Sequence, residues 1–202
     1  MIEILLGIFY LLSIDISSDN GVFSAQVDYS GGTNCVVQQI TMYRDGMCLY
    51  TRERPEAHTF YISDIGTVFA LSDQQLYFYD QQGNVKTLQD LIFPNGFGFS
   101  TDNHNFFASD RNELNVYART GELVYKLKPC RLCLGFEHGR FIATVSNDTL
   151  FFYEDGIEVA TRRLSTPYIR TLRISEDKRS LIIEMPNSFE AVEFPFGTKR
   201  EK

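Results

Sequence analysis

The chain of 202 residues contains no tryptophan and is short of positive charge, with 19 Lys and Arg against 26 Asp and Glu. Its net charge of −7 argues against a general nucleic-acid binder, because that binding rests on Lys and Arg neutralising phosphates. It equally disfavours docking on an anionic membrane surface. The apolar stretch Leu5–Leu12 is too short to span a bilayer. Catalytic signatures are missing too: there is no G-x-S-x-G, no H-E-x-x-H and no P-loop. The three histidines, His58, His104 and His138, stand in no nucleophile motif, and no catalytic residue is assigned. No Pro/Ser-rich linker or amphipathic helical stretch divides the chain. The basic tail, Lys199, Arg200 and Lys202, reads as a solvated end.

What is present is repetition. Aromatics reach 14%, all Phe and Tyr, a composition that suits strands. Five times an acidic residue is followed six positions later by a small or apolar one: Asp19/Ala25, Asp64/Ala70, Asp102/Ala108, Glu137/Ala143 and Asp177/Ile183. Each pair is followed by an apolar run ending in an aromatic before a glycine turn, as in Leu76–Tyr79 before Gly83 or Leu150–Tyr153 before Gly156. Turn pairs recur between these runs: Ser72-Asp73, Ser109-Asp110 and Ser146-Asn147, then Asp45-Gly46, Thr120-Gly121 and Asp155-Gly156. Gly accepts the positive φ of tight hairpins, and Asp or Asn closes the turn through its side chain. Strand segments recurring at a period of roughly 40 residues predict propeller blades.

The expected architecture is all-β, a β-propeller of about five four-stranded blades in one domain, 1–202. The repeats fall at about 8–54, 57–90, 91–128, 129–164 and 166–197. The last repeat has no fourth strand of its own, and Ile2–Leu6 matches the missing piece in type and length. Lending it to the last blade closes the ring in a velcro manner and removes an exposed edge. The competing reading makes residues 1–12 a secretory signal and the protein secreted or periplasmic. That reading lacks Lys or Arg before the apolar core and an A-x-A-type cleavage site, so the strand reading and a cytoplasmic location are favoured. The first repeat alone carries an insertion, Ser30–Asn34.

The segment Leu114-Asn115-Val116-Tyr117-Ala118-Arg119-Thr120-Gly121-Glu122-Leu123 resembles the strand–turn–strand of NHL-type and related β-propeller repeats. The resemblance implies a propeller fold and a role in binding proteins or ligands. The chain departs from WD40 repeats, lacking the Gly-His and Trp-Asp pairs, and from Kelch repeats, since Gly31-Gly32 does not recur.

Few residues suggest chemistry. Asp19, Asp64, Asp102, Glu137 and Asp177 are expected at equivalent turns near an axial opening, where converging carboxylates would suit a hard cation such as Ca²⁺. The competing explanation is local turn chemistry. The best candidates for a site are Asp102, His104, Glu137 and His138. Cys130-Arg131-Leu132-Cys133 is a CxxC, but a zinc site needs two further ligands, and Cys35 and Cys48 fall in another repeat. Buried free thiols are the expectation. The sequon Asn147-Asp148-Thr149 lies where turn chemistry already explains the residues. Aromatic segments such as Phe93–Phe99 and Leu150–Tyr153 are expected in the core. Tyr168, beside Pro167 in a connecting loop, is the exception suited to a partner.

The leading functional reading is a non-catalytic binding or assembly module for a protein or small ligand, as a monomer or weak oligomer. One alternative is a metal-dependent binder or hydrolase using the acidic turns. Another is an incomplete propeller that assembles with a further chain.

Overall fold

The computed structural model describes residues 12–30, 36–53, 55 and 57–195. Ile2–Leu6, the apolar stretch at residues 5–11, the insertion at 31–35 and Cys35 lie outside the described residues. The chain divides into two compact units, the first ending at Asp90 and the second beginning at Leu91.

The first unit holds two sheets. One is built from β1 (Leu12–Ser17), β2 (Phe23–Ser30), β3 (Val36–Arg44) and β4 (Met47–Glu53). The other is built from β5 (Thr59–Ile62), β6 (Val68–Leu71), β7 (Gln75–Tyr79) and β8 (Val85–Asp90). The second unit holds three. Its first is β9 (Gly96–Phe99), β10 (Asn105–Ser109), β11 (Leu114–Ala118) and β12 (Leu123–Leu127). Its second is β13 (Leu132–Phe136), β14 (Phe141–Ser146), β15 (Thr149–Glu154) and β16 (Ile157–Arg163). Its third is β17 (Thr171–Ile174), β18 (Ser180–Met185) and β19 (Ser188–Glu193). Every sheet is an antiparallel meander in chain order, four with four strands and the last with three among the described residues. Among those residues no helix is long and apolar enough to cross a membrane.

Burial follows strand position within the sheet. The inner strands are the most covered in the middle sheets: β10 is buried at all five residues and β11 at four of five, whereas β19, the third strand of the last sheet, is mostly exposed. The fourth strands are mostly exposed, as in β4 and β16, where only one residue in seven is even half-buried. Those outer strands carry Arg52, Glu53, Lys126, Glu158 and Arg162, charges that discourage pairing with another sheet edge. A bulge interrupts pairing of third and fourth strands in four sheets, at Met42/Tyr43, Leu76/Tyr77, Val116/Tyr117 and Phe152/Tyr153. Bulges increase the local twist, which turns the outer strand away from the flat plane.

The core lies between adjacent sheets of a unit. In the first unit Val27, Ile40 and Met42 meet Phe60, Val68 and Ala70. In the second, Phe107, Leu114 and Val116 meet Ile142 and Tyr153, while Val145, Leu150 and Phe152 meet Leu172, Leu181 and Ile183. The small residue of each sequence repeat sits here. Ala25, Ala70, Ala108 and Ala143 are at most 1% exposed, with Ile183 in the fifth place, so side-chain size at this position sets how closely sheets approach.

One sequence expectation fails inside this core. Phe93 is 72% exposed, with φ at +54°. It precedes the first strand of its sheet and so belongs to a connector rather than to a pleated, covered surface. Leu150, Phe152 and Tyr153 are buried as expected.

Candidate functional site

The turns between first and second strands are built on a serine. Ser18, Ser63, Ser100 and Ser175 each take a backbone bond from across the turn: Gly21, Gly66, Asn103 and Lys178 donate to the respective carbonyls. In three of them the hydroxyl donates to the carboxamide or carboxylate two residues on: Ser18 to Asn20 Oδ1 at 2.8 Å, Ser100 to Asp102 Oδ1 at 2.7 Å, Ser175 to Asp177 Oδ1 at 2.6 Å. The residue equivalent to Asp102 in the first sheet is therefore Asn20, not Asp19. The acidic register read from sequence slips by one there, because the serine, not the acid, anchors the turn. Asp177 completes its bonding locally, accepting from Arg179 N–H at 3.1 Å.

The fourth sheet has Phe136 where the others have serine, and so no hydroxyl of its own. Its turn runs through three consecutive left-handed residues, Glu137, His138 and Gly139, with φ of 50°, 59° and 78°. The acceptor comes instead from the preceding sheet: Asp102 Oδ2 takes the His138 N–H at 2.5 Å. Thr101 adds a second tie, its N–H donating to Gly135 O at 2.9 Å. This link draws His138 against His104, with ring centroids 3.8 Å apart in an edge-to-face arrangement.

The ligand atoms of Asp102, His104 and His138 lie within 4.8 Å of one another, and no other such group of three stands among the described residues. The structure thus brings together three of the four residues singled out from sequence. Glu137 is exposed and outside the group. Asp64 and Asp177 join no such group: Asp177 bonds within its own turn, and Asp64 Oδ1 accepts the Asn20 N–H of the neighbouring sheet at 3.0 Å. Burial pushes the Asp102 pKa up, but hydrogen bonds from the Ser100 hydroxyl and the His138 and His104 N–H groups outweigh it and hold the carboxyl below the ordinary range. His104 Nδ1 lies 2.8 Å from Asp102 O. A carbonyl only accepts, so Nδ1 carries the proton and Nε2 keeps its lone pair.

At the opposite ends of strands β9 and β13 lies a groove of about 680 Å³, lined by Phe93, Pro94, Arg111, Arg131, Pro167 and Tyr168 among others. Tyr168 is 71% exposed, as expected from its place beside Pro167. Arg131 is held by two carbonyls, donating from Nη2 to Pro167 O at 2.9 Å and Ile169 O at 3.0 Å. The Arg111 guanidinium sits 5.9 Å from the Phe93 ring centroid. Among the described residues no carboxylate lines the groove. Neighbouring Asp110 is buried and committed to the backbone, accepting from Ile92, Asn112 and Glu113 N–H groups.

No family model matches the chain, and no curated protein matches it. The chain is similar in fold to many solved structures, two of which follow. The crystal structure of Kluyvelomyces marxianus Hsv2 is 10% identical, with a TM-score of 0.60, covering 93% of this chain and 73% of that one. A chain in the crystal structure of the mitotic checkpoint complex is 12% identical, with a TM-score of 0.57, covering 92% of this chain and 61% of that one. The fold is a β-propeller. At these identities the likeness carries architecture alone. The five sheets are its blades, and the serine turns and proline connectors lie at opposite ends of the blade strands.

The sequence carried a signal for the groove that the repeat pattern obscured. Pro55, Pro94, Pro129 and Pro167 all stand in connectors shortly before the first strand of a blade. Proline fixes φ and offers no N–H, so it suits a connector that joins no ladder. Three of these prolines line the groove. Beneath them Cys130 is clamped by Ser109, whose hydroxyl donates to Cys130 O at 2.8 Å and accepts its N–H at 3.0 Å. Its hydrogen bond with Cys133 favours the Cys130 thiolate and holds Cys133 protonated. Cys130 is buried and Cys133 half-buried, but Cys48 is exposed on the outer strand β4, against the expectation of buried thiols throughout.

Proposed function

We propose that this protein is a non-catalytic β-propeller binding module whose groove on the proline-connector side of the second unit takes an extended acidic protein segment carrying an aromatic or aliphatic residue. One observation carries the reading. Phe93 and Tyr168, each more than 70% exposed, flank a groove whose charged lining among the described residues is Arg111 and Arg131, in a chain of net charge −7. Exposed large rings beside arginine are the composition of binding hot spots, and a locally positive groove on an acidic protein selects a negative partner. Prolines fix the connectors in advance, so little ordering entropy is lost on binding. One of the chains similar in fold belongs to the mitotic checkpoint complex, which supports a role in binding a partner.

Selection from a random displayed-peptide library against the full chain tests this. The expected outcome is enrichment of acidic peptides with one bulky apolar residue, binding that weakens as salt rises, and at least a tenfold loss in both Tyr168→Ala and Arg111→Glu. Selected peptides without acidic bias, or peptides that bind both variants as well as the parent, refute the assignment.

A further inference from the structure

The geometry points to a divalent transition-metal site formed by Asp102, His104 and His138, in which the cation joins the serine turn of the third blade to the left-handed turn of the fourth. The argument begins with donor chemistry. Two imidazole nitrogens and one carboxylate oxygen suit Zn²⁺, Ni²⁺ or Co²⁺. Ca²⁺, expected from the acidic turns, takes six to eight oxygens and is poorly served by this set.

The histidines are placed as ligands need to be. The Asp102 carbonyl fixes His104 with its proton on Nδ1 and its Nε2 lone pair available, the orientation that a backbone acceptor gives to metal-binding imidazoles. His138 is brought to the same point by its N–H bond to Asp102 Oδ2, and its Nδ1 lies 3.7 Å from that oxygen. The group within 4.8 Å must tighten to about 3.4 Å between ligand atoms, the spacing that metal–ligand bonds of ~2.1 Å at a tetrahedral angle require. The His138 side chain is 72% exposed, so its ring can make that adjustment and leave an entry path and a solvent-facing coordination position.

A second observation marks the same pair of turns. Asn105 follows His104 and is 4% exposed, yet its Oδ1 has no hydrogen-bond partner. That oxygen lies against Gly139, the residue after His138. A buried acceptor left open is costly, and this one lies between the same two turns that carry the three ligands.

The site differs from the peptide groove in place and in chemistry. It is tested on the full chain by calorimetric titration with Zn²⁺ and by absorption with Co²⁺. The expected result is one equivalent per chain, a rise in melting temperature with added Zn²⁺, and no response to Ca²⁺ at the same concentration. His138→Ala keeps the backbone donor to Asp102 and so the fold; it should weaken binding at least tenfold, as should His104→Gln, while His58→Ala changes nothing. The Co²⁺ complex should show ligand-field bands without thiolate charge transfer, which separates this site from Cys130 and Cys133. Zinc binding that survives both histidine substitutions, a thiolate-dominated cobalt spectrum, or no heat at all would each sink the assignment.

Discussion

Two blade junctions, one in each unit, solve the same mechanical problem with different side chains. Between the first and second blades Phe23 lies under Gly66, and Asp64 of the later blade reaches back, taking the Asn20 N–H at 3.0 Å. Between the third and fourth, Asn105 takes the place of Phe23 under Gly139, and Asp102 of the earlier blade reaches forward to His138. The outer strands agree more closely: Tyr50 covers Gly83 in one junction and Tyr125 covers Gly156 in the other. A glycine under a larger side chain is thus fixed by position, while the cross-blade carboxylate comes from the later blade in one junction and the earlier in the other, and the residue that meets it varies. Where the variation put two histidines beside the carboxylate, three side chains with ligand-type donor atoms came within 4.8 Å of one another.

The sharpest way to break this comparison is at the glycines. Gly66 and Gly139 have φ near +80°, and a Cβ on either would strike the side chain opposite. Left-handed strain and overpacking together make each Gly→Ala cost about 3 kcal/mol. Gly66→Ala should lie at the upper end, since the Phe23 ring is 7% exposed and walled in, measured by urea unfolding. Next come the side chains above them. Phe23→Ala should cost about 3 kcal/mol through the cavity it leaves. Asn105→Ala should cost about 1 kcal/mol or less, because it removes an acceptor that has no partner. Equal losses at the two positions would mean that the junctions are not built as described.

The carboxylates follow. Asp102→Asn should destabilise by about 1–2 kcal/mol, the loss of hydrogen bonds to a charged group. Because the folded Asp102 pKa lies below its unfolded value, its contribution is complete above about pH 4. It is lost as pH falls through the folded value, so the Asn variant should show a shallower acid limb than the parent in that window and the same slope at neutral pH. The smallest effect belongs to Tyr168→Ala, which should change stability by less than ~0.5 kcal/mol because the ring is exposed.

The strands were legible in the sequence because alternating apolar runs and glycine turns report a period directly. The buried small residue of each repeat was legible for the same reason. The junction was only half legible. Counting from the acid aligned Asp19 with Asp102, whereas the hydrogen bonds align Asn20, because the turn opens on a serine and the Ser63 turn is one residue shorter than the Ser18 and Ser100 turns. Asp102, His104 and His138 could be picked out as neighbours in type, but Glu137 could not be excluded, since nothing in its sequence context reveals the φ of 50° that sets its backbone. Tyr168 was read correctly as a connector aromatic. Its partner Phe93 was not, because it follows Leu91-Ile92 and reads as one more member of an apolar run.

Central to this account is that the scaffold is repetitive and that partner binding resides where connectors depart from burial. Affinity of one library-selected acidic peptide, measured by fluorescence anisotropy for the parent, Tyr168→Ala and His138→Ala proteins, tests it directly. The account predicts at least a tenfold loss for Tyr168→Ala with an unchanged melting temperature, and parental affinity for His138→Ala. Parental affinity in Tyr168→Ala would contradict it.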